Sequence, residues 1–310
     1  MLGSYLSKFS VMGINARNSD YIFPNNKRRL YPLVDDKLQT KQLAEDAGIQ
    51  VPELYGVIEF QSQAKHIAEL AAPHKEFALK PAQGSGGGGI IVVRDIVDSG
   101  FVKSNGTIIS HADMRYHVSN ILSGMYSLGG VADKAIVEYA VKFDPVFDNI
   151  TYQGVPDVRI IVYRGVPAMA MLRLPTRASE GKANLHKGGL GVGVTMADGV
   201  THSAVQFNKY VTHHPETRQS LMGHTIPHWR NMLEMAATFY DVTGLGYLGV
   251  DLVLDKDKGP MLLELNARPG ISIQIANQTG LLERTHKIDA HLQNLHTLEE
   301  KVAFCQDAFN

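Results

Sequence analysis

The stretch LGVDLVLDKDKGPMLLELNARPG, residues 248–270, contains two apolar runs separated by a short charged segment. This pattern predicts a β-hairpin, because two strand-length apolar runs flank residues that favour a turn. With KDKG at 256–259 as a four-residue turn, Asp255 pairs with Pro260 across the hairpin. All other pairs then follow by counting away from the turn.

That counting places two carboxylates opposite each other inside apolar strands. Asp251 pairs with Glu264, and the two-residue period of a strand puts Asn266 on the same face of the sheet. Facing carboxylates repel, and burying them among apolar residues calls for a compensating cation. Two acids and an amide offer the oxygen ligands that magnesium prefers, so we predict a magnesium site here. The alternative is a solvated sheet face on which the acids meet by chance.

A glycine-rich segment, KPAQGSGGGGIIVV, begins at Lys80. Gly84, Gly86 and Gly89 fit the spacing G-x-G-x-x-G, but strand-forming IIVV follows where a dinucleotide-binding loop requires a helix. A Walker A loop is excluded because no Gly-Lys-Ser/Thr ends the segment. We interpret it as a strand-loop-strand flap whose N–H groups, that of Ser85 among them, bind phosphate together with Lys80. A plain flexible turn is the alternative.

A second group of candidates is mostly basic. Arg159 and Arg173 lie on paired strands of another predicted hairpin, 157–177, which turns at Arg164 and Gly165. Forked guanidinium groups bind phosphate and carboxylate well, although any one of them could be an ordinary surface charge. Further candidates follow in loops: Arg177, Asn184, His186, Lys187 and Arg268.

Composition narrows the classes of function. The chain has 310 residues, 44% of them hydrophobic, and a net charge of −1, which gives no field for binding nucleic acid. The single cysteine, Cys305, fits a reducing compartment, and the thirteen histidines lack the paired spacing of a zinc site. No apolar run approaches the roughly 18 residues of a membrane span, and the N-terminus lacks a signal-peptide pattern. We therefore expect a cytoplasmic protein, with a homo-oligomer favoured by base rate.

Helices and antiparallel hairpins follow each other without a regular βαβ alternation, which predicts an α+β fold. Residues 1–34 are expected to be irregular. Helices are predicted at 35–48, 61–72, 111–128 and 225–244 and through most of the last 40 residues, and strands at 54–59, 77–82, 89–95 and 134–141.

The order of these motifs resembles that of ATP-grasp carboxylate–amine ligases. A lysine on an early helix, Lys37, precedes the strand lysine and the glycine flap. A hinge strand at 137–140 and D-x-R at 157–159 follow, then ANLHKGG at 183–189 and E-x-N-x-R-P-G at 264–270. NLHKGG, D-x-R and N-A-R-P-G are most similar to RimK-like α-L-glutamate ligases.

The resemblance covers about residues 35–280 and implies an ATP-grasp fold, in which two α+β lobes with antiparallel sheets grip ATP between them. The implied domains are an N-terminal arm (1–36), an N-terminal lobe (37–140) with the flap at 84–89, a C-terminal lobe (141–280) with the metal hairpin, and a C-terminal helical segment (281–310).

It also implies roles for individual residues. ATP would be bound by Lys37, Lys80, Gly84, Ser85, Gly86, Gly87, Glu138, Tyr139, Ala140 and Val141, with Asp144 as the expected ribose partner. Phosphates or the acyl intermediate would be held by Arg159, Arg173, Asn184, His186 and Arg268. Two magnesium ions, or manganese in their place, would be bound by Asp251, Glu264 and Asn266.

The implied reaction is amide formation through an acylphosphate. One substrate is expected to be an amino acid such as L-glutamate, and the amine acceptor a small molecule, a peptide or a protein terminus. Members of the family usually carry an α/β domain before the first lysine, which leaves the substrate site open here. The alternatives are an ATP-grasp ligase for a D-alanine-like or sugar-linked substrate, a regulatory nucleotide-binding protein, and a kinase.

Overall fold

The computed structural model describes residues 10–84 and 86–309, which form two compact units. The smaller unit comprises residues 36–38 and 51–142. The larger unit comprises the described residues before 36, together with 39–50 and 143–309. In the described chain no helix is long and apolar enough to cross a membrane.

The smaller unit is built on a six-stranded antiparallel sheet with the strand order β1-β6-β2-β3-β4-β5. Its apolar core includes Phe77, Leu79, Phe101 and Val137. The strands are β1 (Leu54–Ile58), β2 (Phe77–Pro81), β3 (Ile91–Val97), β4 (Gly100–Lys103), β5 (Ile108–Ile109) and β6 (Ala135–Glu138).

Helices cover this sheet with apolar side chains at helical spacing. Met114, Val118 and Ile121 are buried on one side of the main helix, whose N-terminus is capped by the Ser110 hydroxyl. The α-helices are α1 (Lys37–Asp46), which belongs to the larger unit from residue 39 onward, α2 (Ile67–Ala71) and α3 (His111–Leu122), with 3₁₀ turns at Gln61–His66 and Leu128–Gly130. The helix predicted over 111–128 therefore ends earlier than expected.

The larger unit is built on a seven-stranded antiparallel sheet with the order β11-β10-β9-β8-β7-β12-β13. Its strands are β7 (Asp157–Tyr163), β8 (Val166–Leu174), β9 (Leu190–Val194), β10 (Thr201–Gln206), β11 (Lys209–Val211), β12 (Tyr247–Asp255) and β13 (Gly259–Asn266). The α-helices are α4 (Trp229–Thr243), α5 (Ile273–Asn277), α6 (Leu281–His291) and α7 (Leu298–Ala308).

Residues 1–34 were expected to be irregular, and this expectation is wrong for the described part. Short helical turns occupy Ile14–Ala16, Arg17–Ile22, Phe23–Asn25, Arg28–Leu30 and Pro32–Asp35. Further short turns lie at Pro145–Ile150, Leu185–Lys187 and Leu292–Asn294. None of these segments is long enough to show a helical period in its sequence.

The hairpin that turns at Arg164 and Gly165 is confirmed. Their φ angles of 49° and 82° give the left-handed turn that matches the twist of β7 and β8.

The predicted register of the β12–β13 hairpin contains one error, and a second feature of the structure compensates for it. Asp255 pairs with Gly259, not with Pro260 as predicted, so the loop has three residues instead of four. Gly259 has a φ of +76°, a conformation that favours glycine. An irregularity between Asp251 and Leu252 then shifts the register by one residue, and Asp251 still pairs with Glu264.

Candidate active site

Four charged side chains form a cluster on one face of the larger unit's sheet. Asp251 on β12 lies directly opposite Arg159 on β7, and Asp157 lies opposite Arg173 on β8. Arg159 donates to both oxygens of Asp251, at 2.5 Å each. Arg173 donates to Asp157 at 2.5 Å and lies 2.8 Å from Asp251. We call these four residues the acid–arginine cluster.

Burial and charge act against each other in this cluster. Burial favours a neutral Asp251, but the positive charges of Arg159 and Arg173 outweigh burial and hold the pKa of Asp251 below its usual range. Burial raises the pKa of Asp157, and the nearby Asp251 charge adds to the rise. The buried acids Asp157 and Asp251 therefore hold the two guanidinium groups in a preformed arrangement.

The predicted magnesium ligands are brought together at the same place. Asp251 pairs with Glu264, and Asn266 Nδ2 lies 3.4 Å from Asp251 Oδ2. However, both oxygens of Asp251 already accept hydrogen bonds from arginine. Arg159 and Arg173 therefore supply positive charge that the sequence argument assigned to a metal ion, and the metal site stays a prediction.

The oxygen donors of Asp251, Glu264 and Asn266 still suit magnesium in kind and number. Among the residues that the structure describes, no three acids, histidines or cysteines form a metal-binding group. A magnesium site on this hairpin therefore depends on the amide oxygen of Asn266 as well as on the two acids.

The loop that carries NLHKGG is shaped by its own hydrogen bonds. The side chain of Asn184 accepts from the His186 N–H at 2.9 Å, and the Asn184 carbonyl accepts from the Gly189 N–H at 2.9 Å. Gly188 has a φ of +96°, and its carbonyl accepts from Thr176. The His186 side chain is exposed at the surface of this loop. Asn184 thus shapes the loop that presents His186.

The segment before residue 36 supports the N-A-R-P-G turn, which sequence reasoning did not anticipate. Buried Asn26 donates to the carbonyls of Tyr247 and Ala267. Arg268 lies over the ring of Tyr31 and 3.3 Å from Asp35, so its position is fixed from two sides. In the sequence, this segment contains the polar run NNKRR, which is typical of an exposed surface and does not indicate the buried role of Asn26.

In the smaller unit, Lys37 contacts the glycine flap. Its Nζ donates to the Gly84 carbonyl at 2.6 Å. Gly86, Gly87 and Gly89 have φ angles of 60°, 72° and 74°, which residues other than glycine rarely adopt. Ser85, the other predicted phosphate contact, lies outside the described residues.

Lys80 and Glu138 form a buried ion pair between neighbouring strands. Their side chains are only 6% and 3% exposed, and Lys80 Nζ lies 2.5 Å from Glu138 Oε1. The next hinge residue, Tyr139, donates its N–H to the Glu53 carbonyl, while Ala140 and Val141 are buried. Lys80 is therefore part of the interior as well as a candidate ligand contact.

Asp144, the expected ribose partner, lies in the larger unit. Its carboxylate accepts from the Val146 N–H at 2.9 Å and caps the turn Pro145–Ile150. This use as a helix cap was not predicted from the sequence.

His117 and Tyr126 lie against Gly89, the last residue of the glycine flap. His117 Nε2 donates to the Gly89 carbonyl at 2.8 Å, and a side chain at position 89 would collide with the ring of Tyr126. At the near end, Asp133 accepts from the Gln83 N–H. None of the three was identified from the sequence, because each is separated from the flap by about 30 residues or more.

His117 gives the smaller unit a predicted pH dependence. Burial lowers its pKa below the usual value, although the bond to Gly89 opposes the shift. The unfolded chain then binds a proton that the folded unit resists, so stability present above about pH 6.5 is lost as pH falls further. We expect amide exchange in β2 and β3 to accelerate between pH 7 and pH 5, after correction for intrinsic rates. His117→Gln keeps a donor and should reduce this acceleration; an equal acceleration in the variant would contradict the assignment.

A family model described as "Sugar-transfer associated ATP-grasp" matches residues 16–290. This match confirms the predicted ATP-grasp fold. No curated protein matches the sequence. The family description does not name the RimK-like glutamate ligases, so that finer resemblance stays a prediction.

Several solved structures are similar to this chain at low identity. The ATP-grasp ligase PsnB, complexed with minimal precursor, is 12% identical over 90% of this chain and 62% of its own, with a TM-score of 0.46. D-cycloserine synthetase DcsG is 15% identical over 86% of this chain and 73% of its own, with a TM-score of 0.49. D-alanine–D-alanine ligase from Bacillus anthracis, complexed with ATP, is 12% identical over 90% and 66%, with a TM-score of 0.44. The chain thus spans about three fifths of the length of PsnB.

Proposed function

The chain belongs to the sugar-transfer associated ATP-grasp family, and from this premise we propose that it is an ATP- and magnesium-dependent ligase. It joins a carboxylate to an amine through an acylphosphate intermediate and releases ADP and phosphate. We take the cytoplasm as its location.

The observation that carries this proposal is the acid–arginine cluster. Arg159 and Arg173 are held by the buried acids Asp157 and Asp251. Guanidinium groups held in this way stabilise charge on a transferring phosphoryl group without having to reorganise. Asn184, His186 and Arg268 are proposed to complete the set around the acyl group.

Magnesium would be held by Asp251, Glu264 and Asn266, whose oxygens fit that ion. Bound there, one or two ions would neutralise charge on the nucleotide phosphates, and manganese would substitute for magnesium. Asp251 would then share its oxygens between the ion and the two arginines that contact it.

The nucleotide contacts are proposed from the flap and the hinge. Lys37, Lys80 and the backbone N–H groups of 84–87 would contact phosphates, and closure of the flap would exclude water. Glu138 and the backbone of 139–141 would bind the adenine, and Asp144 the ribose.

The chemistry needs no nucleophilic side chain. A carboxylate oxygen of the substrate attacks the γ-phosphorus of ATP, the bond to the β-phosphate oxygen breaks, and ADP leaves. The amine then attacks the acyl carbon, loses a proton and displaces phosphate. Arg159 and Arg173 offset the negative charge in the first step. Catalysis therefore consists of positioning and electrostatic stabilisation.

Two alternatives are proposed for the substrates. By its resemblance to RimK-like enzymes, the carboxylate is an amino acid such as L-glutamate. The family's association with sugar transfer favours the alternative in which one substrate is linked to a sugar. The amine acceptor would then be on a small molecule, a peptide or a protein terminus.

The proposal is tested by magnesium-dependent ADP release from the purified protein. Amino acids are offered with and without amino sugars and simple amines, and products are identified by mass spectrometry. We expect ADP and free phosphate in equal amounts, with an amide product. A stable phosphoester would instead establish a kinase, and ATP binding without turnover of any pair would favour a regulatory protein.

A further inference from the structure

A cavity of about 240 Å³ lies within the larger unit, beside the NLHKGG loop. Its apolar lining includes Leu185, Phe207 and Ile275, and its polar lining includes His186, Asn208 and Ser272. We propose that this cavity binds a sugar ring, with Phe207 as the surface on which the ring packs. The inference rests on the proposed function for its role as the site of the sugar-linked substrate.

Phe207 presents its ring beside the cavity from a hairpin turn. It forms the two-residue turn between β10 and β11 with Asn208, at φ angles of 49° and 59°, the left-handed conformation that such a turn requires. The turn leaves the Phe207 side chain 62% exposed. An exposed aromatic ring that lines a cavity is a candidate ligand contact.

The surrounding residues keep that ring in place. A Cβ atom at Gly188 would lie 2.7 Å from the ring's Cζ atom, so the ring packs against the loop at this glycine. Gln206, immediately before the turn, donates to the Gly188 carbonyl at 2.9 Å. The ring is thus positioned against the loop that also presents His186.

The chemistry of the lining selects a neutral, hydroxylated ligand. Among its described residues there is no carboxylate, lysine or arginine, so a phosphate or carboxylate would find no opposite charge. A sugar offers polarised C–H groups to the face of an aromatic ring and hydroxyls to His186, Asn208 and Ser272. The volume is below the roughly 300–1,000 Å³ of sites for drug-sized ligands, which fits a single ring.

The position of the cavity suits a substrate. His186 follows Asn184 in the NLHKGG loop, and Ser272 follows Arg268 and the N-A-R-P-G turn. Both neighbours are proposed above to act on the acyl group. In this proposal, the amine or carboxylate attached to the bound sugar is the group on which Asn184 and Arg268 act.

Saturation-transfer NMR without ATP tests this inference. The probes are methyl α-D-glucopyranoside, glucosamine and N-acetylglucosamine, with L-glutamate for comparison. We expect transfer to the ring protons of at least one sugar, with an affinity about tenfold weaker in Phe207→Ala and retained in Phe207→Trp. Tyr210→Ala is the matched control, because Tyr210 is 63% exposed on the same hairpin and is not among the lining residues.

Transfer to no sugar, or transfer that Phe207→Ala leaves unchanged, would overturn the inference. Phe207-dependent transfer to L-glutamate alone would overturn the sugar assignment. Unfolding curves followed by Trp229 fluorescence check that each variant is folded. Because no nucleotide is present, loss of sugar binding is separate from failure of the ligase proposal, which is judged by ADP release.

Discussion

Replacing Asp251 by asparagine is expected to lower the free energy of unfolding of the larger unit by about 3–5 kcal/mol. Asp251 is 2% exposed and accepts from Arg159 and Arg173, which are themselves only 12% and 13% exposed. Asparagine keeps the shape but removes the charge, so two buried guanidinium groups are left with Asp157 alone. Urea unfolding followed by Trp229 measures the loss, since this single tryptophan is buried in the same unit.

Glu264→Gln is the matched control on the opposite strand. Glu264 directly faces Asp251 but is only partly buried, whereas Asp251 is 2% exposed. Its replacement should change stability by less than about 1 kcal/mol. If Asp251→Asn is equally mild, the arginines do not depend on this carboxylate, and the acid–arginine cluster is not the preformed site described above.

Replacing Lys80 by methionine is expected to reduce ATP turnover by about 100- to 1,000-fold, because a cation on the transferring phosphates is lost. The same change should destabilise the smaller unit by about 3–5 kcal/mol, since the carboxylate of Glu138 stays buried. The stability effect can be tested with Lys80→Met combined with Glu138→Gln, which removes the unpaired charge. That double variant should regain most of the stability, measured by amide exchange in β2. Glu138→Gln alone is the reference for ADP release, because Glu138 is itself proposed to bind the adenine.

Lys134 and Glu59 supply the control for this ion pair. They lie 2.5 Å apart in the same unit, but their side chains are 46% and 40% exposed. Lys134→Met should therefore change stability by less than about 1 kcal/mol and leave turnover unaltered. Normal ADP release by Lys80→Met would contradict the proposed contact of Lys80 with the ATP phosphates.

The local part of the fold could be predicted from the sequence. The β7–β8 and β12–β13 hairpins follow from strand-length apolar runs and turn residues, and the Asp251–Glu264 pairing was predicted correctly. That success is partly due to cancellation, because the shorter loop and the register irregularity shift the pairing in opposite directions. Neither feature has a sequence sign strong enough to be counted in advance.

The non-local part could not be predicted. The sequence gives no means of pairing β7 with β12, so it could not show that Arg159 lies opposite Asp251 and neutralises it. The buried role of Asn26 was missed for the same reason, since its partners are 221 and 241 residues away. His117 was considered only as a possible metal ligand, although its structural partner is a backbone carbonyl of the flap.

The bonds made by Asn26 also bear on how the chain folds during synthesis. The smaller unit is almost continuous in sequence, from 51 to 142, and contains all the strands of its own sheet. The larger unit combines segments that precede and follow the smaller unit in the sequence. Asn26 cannot form its hydrogen bonds until Tyr247 and Ala267 have been synthesised. Loop-closure entropy and the direction of translation both favour the continuous unit. We therefore expect the smaller unit to fold first on the ribosome. The residues that precede it in the sequence would pack only after the β12–β13 hairpin has emerged.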